Sequence, residues 1–135
     1  MRLAAAEGLR WGRGMNHDES RLPVSVRVET KATHTIARVT GKLDAAGAAA
    51  AQAAVTQAAE AAPGGRLALD LAGVPYLASV GLRLLMSTAR NLEKRGGRLV
   101  IVNPTDEAAM VLAVAGLEKP LRVCSGEAAL AKAFV

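Results

Sequence analysis

The segment Asp70–Met86, DLAGVPYLASVGLRLLM, carries the residues whose types and spacing bear most on chemistry. Ser79 offers a hydroxyl where a strand-like run gives way to a helical one. A serine hydroxyl becomes a strong nucleophile only beside a base that takes its proton. No base accompanies it in a familiar arrangement: the chain has no GxSxG elbow, no glycine-rich phosphate loop with a lysine, and no GxGxxG after a strand. Enzymatic chemistry is therefore not expected. Read from the residues alone, Ser79 is a serine N-cap. Two features ask for more. Val80, Leu84 and Met86 are apolar beyond what a core stripe on this helix needs, which suggests extra apolar surface near its start. Gly81 in the first turn costs about 1 kcal/mol of helix stability relative to alanine, which makes sense where another backbone comes close.

The remaining polar candidates read as structural. Asp70 closes a strand, where α/β folds often place function, yet a lone aspartate there reads as a loop anchor accepting backbone N–H bonds. Asp44 is a helix cap. His34, within a strand and alternating with Ile36, is a surface or edge histidine. Cys124 is a small buried hydrophobe. Asp106 and Glu107 complement the dipole at a helix start.

These residues must be held by a regular frame, and the hydropathy pattern supplies one. Val24, Val26 and Val28 alternate with polar residues as a half-buried strand. After a polar turn, residues 34–40 alternate again, with Ile36 and Val39 inward, so the two runs pair as a hairpin. Asp44 opens a helix over 45–62, where 12 of 18 positions are alanine. Pro63-Gly64-Gly65 stops it. Arg66–Leu71 is a nearly continuous apolar run, as in a strand covered on both faces. Ser79 opens a helix to about Lys94, with Leu82, Leu85, Ala89 and Leu92 as its core stripe. Arg98–Val102 is another buried strand. Asn103-Pro104-Thr105 caps a helix over about 106–115 whose apolar face is Met110, Val111 and Val114. Leu121–Val123 is a short last strand, and Ser125 caps a final helix from Gly126 to Phe134. The order β-β-α-β-α-β-α-β-α implies an α/β fold: a mixed, mostly parallel sheet of four to five strands with about four helices packed against it.

Composition narrows the function. The chain has 135 residues, 51% of them hydrophobic but only 2% aromatic, and one cysteine. A single cysteine excludes disulfide frameworks and multi-cysteine zinc sites. His17 and His34 lie far apart, so no metal and no cofactor is expected. Seventeen basic residues face twelve acidic ones. The densest basic run, Arg90 to Arg98, has no interleaved aromatics and reads as a solvated helix end, not a nucleic-acid site. No apolar run reaches the roughly 20 residues of a membrane span, and a cytoplasmic protein is expected. Residues 1–22 lack apolar periodicity and read as a flexible N-terminal arm preceding a domain over 23–135.

At the Ser79 segment the chain resembles the STAS domain family, in particular bacterial anti-sigma factor antagonists. The family pattern is a strand ending in Asp, a hydrophobic loop, Asp-Ser or Ser-Ser, a small or apolar residue, and Gly-Leu. Here it reads Leu69-Asp70-Leu71-Ala72-Gly73-Val74, then Tyr76-Leu77-Ala78-Ser79-Val80-Gly81-Leu82-Arg83. Gly41-Lys42-Leu43-Asp44, Gly96-Gly97 before RLVIVNP, and Ala115-Gly116-Leu117 also match, so the resemblance covers about residues 23–135. It implies a STAS-like fold. It also implies a non-enzymatic partner switch: the protein binds an anti-sigma factor that is also a serine kinase with an ATP-binding domain, the kinase phosphorylates Ser79, and a phosphatase resets the phosphoserine. Ala78, Val80, Gly81, Arg83 and Met86 then form the partner interface. Ala78 stands where many members have Asp. The second function class compatible with the resemblance is a STAS-type soluble accessory subunit of a membrane transporter.

Overall fold

The computed structural model describes residues 24–118 and 120–134; the expected arm over 1–22 lies outside the described residues. A hairpin comes first. Strand β1 (Val24–Thr30) runs antiparallel to β2 (Thr35–Gly41), and the Lys31 N–H donates to the His34 carbonyl across the turn. Helix α1 (Ala45–Ala61) leads to β3 (Arg66–Gly73), α2 (Ser79–Lys94) to β4 (Arg98–Val102), and α3 (Asp106–Val114) to β5 (Val123–Cys124). The five strands lie in sequence order, with every pair after the hairpin parallel. Each of α1, α2 and α3 therefore starts at the same edge of the sheet, the carboxyl ends of β2, β3 and β4.

The sheet is covered unequally. Ala37, Val39, Leu67, Leu69, Leu71, Leu99 and Ile101 meet the three long helices. On the reverse face Ile36, Ala68, Val100 and Val102 meet Leu130 and Ala133. Those two residues belong to α4 (Leu130–Ala133), a single turn that follows a 3-10 turn at Glu127–Ala129. The expected nine-residue final helix is thus broken. Ser125 does not cap it: Gly126, with φ +79°, stands at the start, and its N–H donates to the Asn103 side chain at 2.8 Å. Among the described residues, three full helices pack on the sheet instead of four.

Alanine makes α1 thin. Gly47, Ala48, Ala51, Val55, Ala58 and Ala59 form its buried face and let it lie close to α2 and the sheet. Its start is capped as expected, the Gly47 N–H donating to Asp44 Oδ1 at 2.9 Å. The stripe of α2 sits differently from the expected one. Gly81, Leu84, Leu85, Thr88, Ala89 and Leu92 are buried, and Leu82 is half-buried at the margin. Leu84 is thus core and not surplus apolar surface. In α3 the reversal is larger: Ala108 and Leu112 are buried, whereas Met110 and Val114 are 66% and 84% exposed. A nine-residue helix with apolar residues on most sides gives its periodicity no unique face, and the packing decides. The last strand comes two residues later than its apolar run, because Leu121 is buried in the preceding turn and Arg122 takes a positive φ of 30°.

Candidate functional site

Ser79 sits at the shared edge of the sheet as the first residue of α2. The N-cap position belongs to Ala78, which has no side chain able to cap. The plain N-cap reading of Ser79 therefore fails by one residue. Its side chain is exposed, and among the described residues nothing hydrogen-bonds to its hydroxyl. Helices α1 and α3, which start at the same edge, are both capped by side chains, from Asp44 and Thr105.

The loop that carries Ser79 is braced on two sides. Leu43, between β2 and α1, forms a parallel bridge with Leu77. The Leu43 N–H donates to the Tyr76 carbonyl at 2.9 Å, and the Ala78 N–H donates to the Leu43 carbonyl at 3.0 Å. On the other side the Thr105 hydroxyl donates to the Val74 carbonyl at 2.7 Å. Val74 and Leu77 are buried and anchor the loop from below. Pro75 and Tyr76 stay on the surface, Tyr76 with 42% of its area exposed.

Gly81 explains its own presence. A Cβ there would lie 2.7 Å from the Leu43 carbonyl oxygen and 2.8 Å from Leu77 Cδ1. The close backbone is thus the chain's own, and the buried Gly81 supports the site from beneath. Above it lie exposed Ser79 and Arg83 and half-buried Ala78, Val80, Leu82 and Met86. Ser79, Leu82, Arg83 and Met86 fall at i, i+3, i+4 and i+7, one stripe of α2. The result is a rigid platform with a free hydroxyl at one end, a cation one turn on, and partly wet apolar side chains around both.

Asp70 is not part of this platform. It is 8% exposed, its Oδ1 accepts the Ala72 N–H at 2.9 Å, and its Oδ2 lies 3.8 Å from Arg38 Nε. This is the loop-anchor role expected for it. Arg38 also pairs with Glu29 at 2.7 Å and Glu127 at 2.5 Å. The hydrogen bond to Glu29, then the one to Glu127, raises the Arg38 pKa further, and the Arg38 and Lys31 contacts hold the Glu29 carboxyl below its usual range. That cluster, on the reverse face of the sheet, was not singled out in the sequence, because its members lie far apart along the chain. His34 just precedes β2, half-buried, with its ring 5.2 Å from that of Phe134. Cys124 is only half-buried, and burial pushes its thiol pKa up.

A search of curated proteins finds no significant match. Among solved structures, the fold is similar to an anti-sigma factor antagonist from Mycobacterium paratuberculosis, with a TM-score of 0.73 and 24% identity over 82% of this chain and 93% of that one. A STAS domain protein from Planctomyces limnophilus, also an anti-sigma factor antagonist, gives 0.72 and 17% over 80% and 97%. The Bacillus cell fate determinant SpoIIAA in its phosphorylated form gives 0.61 and 21% over 80% and 98%. No helix among the described residues is long and apolar enough to cross a membrane. The family model described as "Mlab, STAS domain" matches residues 26–123, from the first strand to the last, and the chain belongs to the STAS domain family.

Proposed function

We propose that this chain is an anti-sigma factor antagonist, a non-enzymatic cytoplasmic module that binds an anti-sigma serine kinase through the α2 platform and is switched by phosphorylation of Ser79. The observation that carries this reading is the Ser79 hydroxyl, exposed, unbonded and standing on a braced loop. Ala78, Val80, Arg83 and Met86 contribute the contact surface, with Gly81 holding it in shape. The similarity to a phosphorylated neighbour, SpoIIAA, supports the same reading.

The physics of the switch follows from the position. A phosphate adds about −1.5 to −2 charge at pH 7. At the first residue of a helix, the free N–H groups and the dipole favour such a charge by about 0.3–1 kcal/mol. The fold therefore tolerates the modification. A partner seated on the platform has to strip water from the phosphate, at a cost of several kcal/mol unless it supplies a counter-charge. A loss of about 3 kcal/mol lowers affinity roughly a hundredfold. Removal of the phosphate by a phosphatase restores binding.

Two measurements test the proposal. Intact-mass analysis and peptide mapping of protein from its native cells should find phosphate on Ser79. Titration calorimetry with the kinase should find Ser79→Asp weaker than wild type. Equal affinities would refute the switch, and recovery only with transporter subunits in the membrane fraction would transfer the role to the accessory-subunit reading.

A further inference from the structure

Among the described residues the sheet ends in two edges, β1 and β5. β5 is only two residues long, whereas β1 is seven and pairs with β2 on one side alone. No proline, lysine or bulge interrupts β1, so the usual protections of an edge are missing. The phase of the hairpin sets what this edge offers. The Lys31 N–H donates to the opposite carbonyl of His34, which makes Glu29, Arg27 and Ser25 the residues of β1 that bond to β2. Val24, Val26, Val28 and Thr30 therefore point their backbone N–H and C=O groups away from the sheet. Val24 and Val26 pack on the core, but Val28 keeps 49% of its area exposed.

The charges on β1 select what fits the edge. Arg27 and Glu29 are exposed on the same face of the strand, two residues apart. Arg27 stands opposite Arg38 across the hairpin, and no carboxylate among the described residues pairs with it. An antiparallel copy of the same strand would supply one. Outward-pointing residues must face outward-pointing residues, so the register can shift only in steps of two. With Val28 opposite Val28 of the partner subunit, Arg27 lies opposite Glu29 of the partner subunit, and Glu29 opposite the partner's Arg27. A step of two in one direction faces Arg27 with its own copy, and in the other direction Glu29 with its own copy. Like charges directly opposite are destabilising, whereas opposite charges stabilise the pair. One register is thus favoured and both neighbouring registers are penalised.

We propose that two copies of this chain join by antiparallel pairing of their β1 strands about a twofold axis at Val28. The contact is self-complementary and closes at two copies. Val26, Val28 and Thr30 of each strand together make about six backbone hydrogen bonds to the partner, and the two Val28 side chains cover each other. So short a seam buries little area, which places the dimer at the weak, concentration-dependent end of specific association. None of these residues belongs to the Ser79 platform, so the contact stands or falls independently of the proposed switch.

Analytical ultracentrifugation of the full-length protein, from micromolar to millimolar concentration, tests the inference. Wild type should pass from monomer to dimer across that range. Arg27→Glu and Glu29→Arg each place like charges in both facing pairs, and each should dimerise about tenfold more weakly. An equimolar mixture of the two variants should recover at least the wild-type affinity, because a doubly acidic strand then meets a doubly basic one. Val28→Pro removes an N–H that points away from β2, so it should abolish the dimer and keep the hairpin, as circular dichroism checks. A wild type that stays monomeric throughout overturns the inference. So does a dimer that tolerates a folded Val28→Pro, or one whose charge variants fail to rescue each other. Should Val28→Pro not fold, the mixture decides.

Discussion

Thr105 Oγ1 lies 2.7 Å from the Val74 carbonyl oxygen and 3.2 Å from the Ala108 nitrogen, so one hydroxyl both caps α3 and braces the loop that carries Ser79. The start of one helix thereby fixes the approach to another. Thr105→Val keeps the shape but removes both bonds and leaves the Val74 carbonyl unsatisfied. It should cost about 2 kcal/mol in denaturant unfolding, whereas Thr105→Ser should stay within about 0.5 kcal/mol. Equal stabilities for the two variants would remove Thr105 from the frame of the site.

Gly81→Ala sets two effects against each other. Alanine gains about 1 kcal/mol in helix propensity, but its Cβ would collide with the Leu43 carbonyl, a backbone group that cannot rotate away. Overpacking of this kind costs about 1–3 kcal/mol. A net destabilisation is expected in urea titration, together with weaker partner binding as Leu43 and Leu77 shift. A variant more stable than wild type would mean that the loop gives way freely.

Ser79 should be thermodynamically quiet. Its hydroxyl makes no bond that Ser79→Ala would break, and Ser79→Asp places a carboxylate at a helix start, where it is favoured by about 0.3–1 kcal/mol. Both variants should unfold within about 1 kcal/mol of wild type. A large loss in either would assign Ser79 a structural role that the geometry does not give it.

The Glu29 carboxyl, hydrogen-bonded first to Arg38 and then to Lys31, titrates below its usual 4.5. A depressed carboxylate contributes stability that is present above its unfolded value and is lost as pH falls through the folded one. Arg38→Gln should therefore raise the Glu29 titration midpoint in carbon-detected NMR and remove part of the acid sensitivity that begins below pH 4.5. An unchanged Glu29 midpoint would show that the ion pair does not persist in water.

Cys124 makes a simpler case. Desolvation raises its thiol pKa, so less thiolate is present at any given pH. Alkylation in the folded protein should run slower than in urea. Equal rates would place the sulfur in open solvent.

The elements most legible in the sequence are those whose signals were local. The caps at Asp44 and Thr105, the alanine-rich α1, the buried runs of β3 and β4, and the end of α2 at Lys94 all stand where hydropathy and turn chemistry put them. Ser79 was legible as the junction residue, though its place one residue inside the helix was not. What stayed hidden depended on partners distant in sequence. The Arg38 cluster joins Glu29, Asp70 and Glu127 through the sheet. The close neighbour of Gly81 is Leu43, far upstream. Met110 and Val114 read as core because a short helix apolar on most sides carries no information about which side the sheet will take.

The unequal cover of the sheet has a consequence for motion. One turn of helix, Leu130–Ala133, shields Ile36, Ala68, Val100 and Val102, and it is tied down by the Gly126–Asn103 bond, the Arg122–Ala133 bond at 3.3 Å and the Arg38–Glu127 pair. Opening that turn breaks few contacts yet wets four hydrophobic side chains at once. Deuterium should therefore enter the amides of this corner before those of α1 or α2, and the reverse side of the sheet is where the native state first comes undone.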